Sequence, residues 1–260
     1  MSAVVLIDDP ADPRVADFAG LRGQWRVSRP DYFVAEGVWV IERLLASPYP
    51  LRSVLLTERA LDELGDRLPD HLTVCVAPED LLRDVAGFDF HRGALASAGR
   101  LPLPEPAALL DGARFVLAVE GVNDHENLGA LFRNAAAFGV DAVILDGTTC
   151  DPLYRRSIRV SMGHALRLPF TRVGDFGALG AAGFDVLALT PSAPAEIEDV
   201  DRRERQAVLV GAEGPGLSKA AMAACDRAAR IPMAPGVDSL NVATVAAVAL
   251  YRLCGSKLNA

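Results

Sequence analysis

Lysine, histidine and cysteine are all scarce in this 260-residue chain. Only Lys219 and Lys257 are lysines, so 24 of the 26 basic residues are arginine. The four cysteines and four histidines are scattered without C-x-x-C or metal-ligand spacing, which predicts reduced, buried thiols and no metal site. No apolar run reaches about 18 residues and no signal peptide opens the chain, so we expect a cytoplasmic protein without a membrane span.

The acidic balance limits the partners that the chain can bind. A net charge of −8 and a pI of about 5.1 argue against indiscriminate nucleic-acid binding, although not against a local basic site. Arginine can grip a phosphate through two hydrogen bonds. Six arginines fall within forty residues of the second half, and they form either a polyanion-binding surface or an ordinary solvated face: Arg133, Arg155, Arg156, Arg159, Arg167 and Arg172.

Hydrophobic patterning predicts a small α/β domain over residues 1–100. Strands are expected at 31–39, 53–56, 72–76 and 93–98, with helices at 41–45, 58–68 and 79–85. Three prolines between Pro102 and Pro106 predict a stiff linker at 101–108 without regular structure.

The second half, 109–260, predicts a larger α/β domain. Near-continuous apolar strands are expected at 114–119, 142–145, near 170, 184–189 and 207–210, with helices at 128–138, 154–162 and 241–253. Apolar strands that alternate with helices indicate a parallel sheet that is covered on both faces.

Residues 209–218, LVGAEGPGLS, end an apolar strand in a glycine-rich loop. A phosphate-binding P-loop is a poor match, because Leu217 stands where the lysine belongs. The glycine spacing is also wrong for a dinucleotide-binding fingerprint. The loop either approaches a ligand through its backbone, with Glu213 beside that ligand, or is a tight turn with a solvated glutamate.

Two further segments carry polar side chains at helix starts. Ser239 and Asn241 flank Leu240 at the start of the last helix, where they cap it, contact a ligand, or do both. In residues 123–145, Asn127 is placed to cap the helix at 128–138. Arg133 lies off the apolar face of that helix and is either a surface residue or a phosphate-binding group.

Together these segments resemble the SpoU (TrmH-like) RNA ribose methyltransferases of the SPOUT superfamily. The three family motifs are similar to NLGALFRNAAAFG at 127–139, LVGAEGPGLS at 209–218 and IPMAPGVDSLNVA at 231–243. Residues 155–170 resemble the connecting segment of the family. Residues 32–45, YFVAEGVWVIERLL, resemble more weakly its L30e-like substrate-binding extension.

The resemblance implies a fold, a cofactor and an assembly. The second domain would be a SPOUT domain with a deep trefoil knot, a rare exception to ordinary chain topology. It would bind S-adenosylmethionine in the knot and form a homodimer. The implied cofactor-binding residues are Thr190, Gly211, Glu213, Gly214, Ile231, Met233 and Leu240.

The resemblance also implies a reaction, in which a ribose 2′-hydroxyl of structured RNA takes the methyl group. The implied catalytic residues are Arg133, contributed by the partner subunit, with Asn127, Glu213, Ser239 and Asn241. A phosphate clamp is physically easier for Arg133 than a role as base, because a guanidinium does not give up its proton in proteins. Ribosomal RNA is the first expected substrate and transfer RNA the second. The remaining alternatives are a catalytically silent RNA-binding relative and a P-loop-like nucleotide hydrolase.

Overall fold

The computed structural model describes residues 3–21, 30–87 and 93–254, which form two compact units. The strands in chain order are β1 Ala3–Leu6, β2 Tyr32–Glu36, β3 Leu51–Leu56, β4 Thr73–Val76, β5 Ala94–Gly99, β6 Phe115–Glu120, β7 Ala142–Leu145, β8 Phe170–Arg172, β9 Asp185–Leu189, β10 Ala195–Glu196, β11 Gln206–Gly211 and β12 Arg227–Arg230. The helices are α1 Val38–Leu45, α2 Glu58–Leu64, α3 Glu79–Ala86, α4 Pro106–Asp111, α5 His125–Ala137, α6 Arg155–Val160, α7 Gly177–Ala181, α8 Lys219–Ala223 and α9 Val242–Cys254.

The first unit contains the described part of residues 1–102 together with 151–167. Its five-stranded sheet has the order β1-β4-β3-β5-β2, in which β1, β4 and β3 are parallel and the other pairs are antiparallel. Phe18, Leu55, Leu82 and Leu95 lie in one buried cluster of this unit. The predicted α/β character of the first hundred residues is therefore observed.

Gly37 sets the boundary between the first predicted strand and the helix that follows. The prediction that the strand runs to residue 39 is wrong, because Gly37 takes a φ of 96° that ends it at Glu36. The backbone N–H groups of Val40 and Ile41 donate to the Gly37 carbonyl at 3.1 and 3.0 Å, so α1 begins at Val38.

Residues 151–167 belong to the first unit, although sequence reasoning grouped them with the second half of the chain. Their helix α6 faces β2 through Glu36, which is only 3% exposed. Arg155 donates to the Glu36 carboxylate at 2.5 Å, and Arg159 lies 3.8 Å from it. A buried carboxylate requires such a cationic partner.

The second unit contains a seven-stranded, wholly parallel sheet in the order β10-β12-β9-β11-β6-β7-β8. Its central strands are buried, as the continuous apolar runs predicted, and Val116, Ile144, Val186 and Leu209 share one core cluster. The predicted parallel α/β sheet is confirmed. The carboxyl ends of its strands meet at one edge, where an open parallel sheet binds ligands.

Weakly patterned elements escaped the sequence prediction. β1 is a four-residue edge strand, and β12 has the sequence RAAR, which gives no apolar run. α4 begins at Pro106, inside the expected linker, because proline is tolerated in the first turn of a helix. The domain limits at residues 1 and 260 lie outside the described residues.

All four cysteines are free thiols. Burial raises the pKa of Cys75, and it raises the pKa of Cys225 to about 11, so both thiols stay protonated at neutral pH. Within the described ranges, no helix combines the length and hydrophobicity that crossing a bilayer requires.

Asp146, just after β7, holds together two loops at the carboxyl edge of the larger sheet. Its Oδ1 accepts the backbone N–H of Gly121 at 3.1 Å and that of Thr149 at 2.9 Å. The hydroxyl groups of Thr148 and Thr149 also donate to the carboxylate. Burial opposes ionisation here, but these hydrogen bonds outweigh it and lower the pKa of Asp146 below its usual value of 3.8.

We expect Asp146→Asn to lower the free energy of unfolding by about 2 kcal/mol at pH 7, because an amide replaces an ionised acceptor. The lowered pKa stabilises the fold above pH 3.8, and this contribution disappears as the pH falls through the pKa of the folded state. Urea unfolding of both proteins from pH 7 to pH 3 should therefore show the difference shrinking below about pH 4. A difference that stays constant with pH would contradict this account.

Candidate active site

A cavity of about 450 Å³ lies at the carboxyl ends of β9, β11 and β12. We call it the edge pocket. The seven expected cofactor-binding residues all line it: Thr190, Gly211, Glu213, Gly214, Ile231, Met233 and Leu240. Three expected catalytic residues also line it, namely Ser239, Asn241 and Glu213, which belongs to both sets. They come from three separated stretches of chain, which the parallel strands deliver to one edge of the sheet.

The glycine loop, residues 211–218, forms one wall of the edge pocket. It folds back on itself through a bridge between Ala212 and Gly216, with the Gly216 N–H donating to the Ala212 carbonyl at 3.0 Å. Gly214 and Gly216 have φ values of 89° and 67°, which favour glycine. A Cβ on Gly211 would lie 2.5 Å from the Gly216 carbonyl carbon. The loop thus presents backbone rather than side chains over much of its length.

Asn241 connects the two polar loops of the pocket to helix α5. Its Nδ2 donates to Asn127 Oδ1 at 2.7 Å and to Glu213 Oε1 at 2.8 Å. Its Oδ1 accepts the backbone N–H groups of Ala243 and Thr244, at 2.9 and 3.3 Å, and so caps α9. The oxygen of this amide therefore caps α9, while its nitrogen binds the two site residues Asn127 and Glu213.

The predicted cap of the second-domain helix is wrong. α5 begins at His125, and its cap is Asp124, whose carboxylate accepts the N–H groups of Glu126 and Asn127 at 2.8 and 2.9 Å. The Asn127 side chain is consequently available to the Asn241 amide. The D-x-x-N spacing was present in the sequence, but aspartate and asparagine are about equally favoured as caps, so the spacing alone did not decide between Asp124 and Asn127.

Arg133 and Asn127 lie outside the lining of the edge pocket. Arg133 projects from α5 with an exposed side chain and has no hydrogen bond or ion pair to any residue that the structure describes. A cation with no intramolecular partner is free to bind an external anion.

The group of six arginines is less uniform than the sequence indicated. Arg155 and Arg159 face Glu36 within the first unit. Arg172, in the second unit, donates to the carbonyls of Asp146 and Cys150 at 2.6 and 3.0 Å. Arg155, Arg159 and Arg172 thus have structural partners. The described residues also contain no group of three or more His, Cys, Asp or Glu side chains suited to a metal ion.

Comparison with known families gives this geometry a context. Residues 114–251 match the model of the SpoU rRNA Methylase family. The chain belongs to this family. An uncharacterised tRNA/rRNA methyltransferase of Mycobacterium tuberculosis is 49% identical, over 94% of this chain and 89% of the relative. A 23S rRNA (guanosine-2′-O-)-methyltransferase, RlmB, of Acinetobacter baylyi is 30% identical, over 89% of this chain and 100% of that protein.

Solved structures of the SpoU family share the fold of both units. The SpoU methyltransferase AviRb from Streptomyces viridochromogenes, in complex with the cofactor AdoMet, superimposes with a TM-score of 0.78 at 25% identity. The alignment covers 95% of this chain and 98% of AviRb. The architecture therefore extends beyond the residues that match the family model.

We expect Gly211→Ala to lower the free energy of unfolding by about 2 kcal/mol, because the added methyl group meets backbone atoms that cannot rotate away. Gly147→Ala is the matched control, since a Cβ there has no neighbour within 4 Å. Urea unfolding of the three proteins measures the difference. Equal free energies of unfolding for Gly211→Ala and Gly147→Ala would contradict this account, because they would show that the loop makes room for the methyl group without losing stability.

Proposed function

We propose that this protein transfers a methyl group from S-adenosylmethionine to a ribose 2′-hydroxyl of RNA, with ribosomal RNA as its substrate. The observation that carries the proposal is the Asn241 amide, which joins Asn127 and Glu213 at the rim of the edge pocket. Family membership supports the chemistry, and the name of RlmB supports both the 2′-oxygen and ribosomal RNA.

The chemistry of the edge pocket suits this cofactor. Its volume is within the range of small-molecule sites, at roughly 300–1,000 Å³. Ile231, Met233 and Leu240 offer apolar contacts for an adenine ring, while Thr190 and the glycine loop offer polar groups. Glu213 places a carboxylate on the same wall, which favours a ligand with a positive charge. The AviRb complex with AdoMet supports the same assignment.

S-adenosylmethionine supplies a methyl group that is already activated by the sulfonium charge. The protein must then orient the attacking oxygen and accommodate the charge that develops on it. We assign the binding and orientation of the ribose to Asn127, Glu213, Ser239 and Asn241. The backbone N–H groups that Asn241 accepts fix the direction of its amide, so Asn127 and Glu213 are arranged around a side chain that is held in place.

We assign to Arg133 the grip on an RNA phosphate beside the reacting ribose. A guanidinium remains charged at any physiological pH, so its role is to bind the phosphate and to stabilise the charge that develops on the 2′-oxygen. The oxygen–methyl bond would form as the sulfur–methyl bond breaks, with the 2′-proton passing to solvent water and S-adenosylhomocysteine leaving. Because Arg133 lies outside the pocket lining, we propose that the protein is a homodimer in which Arg133 of the partner subunit completes each site.

Three structural features belong to the same proposal. The second domain, 109–260, would hold the deep trefoil knot, with the chain after β12 passing through a loop before α9. The first domain, 1–100, would be an L30e-like RNA-binding domain, joined to the second by the residues that precede α4. The protein would act in the cytoplasm. Transfer RNA is the alternative substrate, in line with the tRNA/rRNA name of the mycobacterial relative.

Transfer of labelled methyl groups tests the reaction. We expect the purified protein with radiolabelled S-adenosylmethionine to label unmodified ribosomal RNA more strongly than transfer RNA. The labelled nucleotide should resist alkaline hydrolysis at its 3′ side, because the 2′-oxygen is methylated. Label on a base, or no transfer to either RNA despite cofactor binding, would overturn the proposal.

We expect Arg133→Ala to reduce methyl transfer at least ~100-fold, the effect typical of losing one charge-stabilising group. The affinity for S-adenosylmethionine, measured by calorimetry, should change less than about twofold, because this side chain lies outside the pocket. Arg133→Lys should also be impaired, since lysine cannot make the bidentate contact. Arg203→Ala removes another exposed arginine of the same unit and should keep full activity.

A further inference from the structure

Glu120 and Ser218 form a polar pair that no motif identified. Glu120 is the last residue of β6, and Ser218 is the last residue of the glycine loop. The Ser218 backbone N–H donates to Glu120 Oε2 at 2.8 Å, and the Ser218 hydroxyl donates to Glu120 Oε1 at 2.6 Å. One carboxylate thus accepts two hydrogen bonds from a single residue, each strengthened by its negative charge.

This pair closes the glycine loop at its far end. At the near end, Gly211 pairs with Glu120 in the parallel ladder between β11 and β6. Both ends of the loop are therefore attached to Glu120, one through its main-chain register and one through its carboxylate. Between them, the bridge from Ala212 to Gly216 fixes the curl of the loop. The backbone that lines the edge pocket lies inside this closed segment.

The hydroxyl of Ser218 has a second bond that fixes its direction. Its Oγ accepts the Ala221 N–H at 3.1 Å and so caps α8. The hydroxyl proton is then directed to Glu120. The loop end is thus held between the end of β6 and the beginning of α8. Each donor of this contact has an acceptor, and each acceptor has a donor.

We propose that Glu120 is a positioning residue for the cofactor site, which holds Ser218 and thereby sets the shape of the glycine loop around S-adenosylmethionine. The inference rests on the proposed function, because it assigns Glu120 to the same pocket. Glu120 is absent from the pocket lining, so its effect is transmitted through Ser218 and the loop.

Glutamate is suited to this position by its two acceptors. In Glu120→Gln one oxygen becomes an NH₂ group, and the negative charge that strengthens both hydrogen bonds is lost. The variant keeps the size of the side chain and leaves one neutral acceptor for Ser218. A change in the loop should follow with little change in the strand, because the main-chain pairing of Glu120 with Gly211 is retained.

The chain provides a matched control at the opposite end of the same strand. The Asp141 carboxylate accepts the backbone N–H groups of Arg114 and Phe115, both at 2.8 Å. Asp141→Asn thus also replaces a carboxylate that binds two donors at a terminus of β6. It lies at the amino end of the strand, away from the edge pocket. A merely structural role for Glu120 predicts that both variants behave alike.

The experiment compares calorimetric binding of S-adenosylmethionine and steady-state kinetics for the full-length wild type and both variants. We expect Glu120→Gln to raise the Kd and the KM for S-adenosylmethionine about tenfold, as for a lost charge-assisted hydrogen bond. The kcat at saturating cofactor should stay within about threefold, because Asn241 still holds Glu213 and the other proposed RNA-binding groups lie outside the loop. Asp141→Asn should leave the Kd within about twofold of that of the wild type. It should lower the melting temperature about as much as Glu120→Gln does.

Ser218 variants keep the test decisive if Glu120→Gln folds poorly. Ser218→Ala should weaken cofactor binding, and Ser218→Thr should restore it, because threonine keeps the hydroxyl. A Kd of Glu120→Gln or Ser218→Ala within twofold of wild type, or an equal loss in Asp141→Asn, would overturn the positioning role. Failure of the wild type to bind S-adenosylmethionine at all would instead overturn the proposed function.

Discussion

The arrangement of the site depends on one side-chain amide, that of Asn241. Its oxygen accepts two backbone N–H groups of α9, and its nitrogen donates to Asn127 and Glu213. A flipped amide would set its NH₂ against two donors and its oxygen against two acceptors, so only one orientation is stable. Three segments that are distant in sequence are thereby held in register by a group whose direction a helix terminus determines.

The parallel sheet brings these distant segments together at one edge. The tight turns at that edge also explain why glycines occur in the loop. Every strand of the second unit ends at the same edge, so the segments that follow β9, β11 and β12 are neighbours without being close in sequence. Loops at such an edge must fold back within a few residues, and here they do so through positive φ values at Gly214 and Gly216. The same absence of side chains leaves backbone groups accessible in the pocket, which suits a ligand with many polar atoms.

Apolar periodicity was sufficient for the central strands, because burial is a local signal. The residues of the site came from the resemblance of three segments to a family, since patterning alone left each segment with two interpretations. Sequence patterns could not predict polar pairs between residues that are distant in the chain. Nothing near Glu120 indicates that its partner is Ser218, and nothing near Glu36 indicates Arg155. The edge strand β1 and the arginine-flanked β12 were missed for a related reason, since their pairing is set by neighbouring strands and not by their own residues. The cap of α5 was misplaced by three residues because two capping residue types compete in that turn.

The segment 151–167 leaves the larger sheet after Cys150 and returns to it at Leu168, having packed with the first unit in between. Ile158 and Leu166 are buried there, and the Glu36 carboxylate is neutralised there by Arg155. A cut near residue 102 would therefore expose the apolar side chains of Ile158 and Leu166 on one fragment and leave the buried Glu36 carboxylate without Arg155 on the other. The first hundred residues are therefore not a domain that gene fusion can exchange on its own. Any replacement must also provide a surface on which residues 151–167, some fifty residues after the junction, can pack.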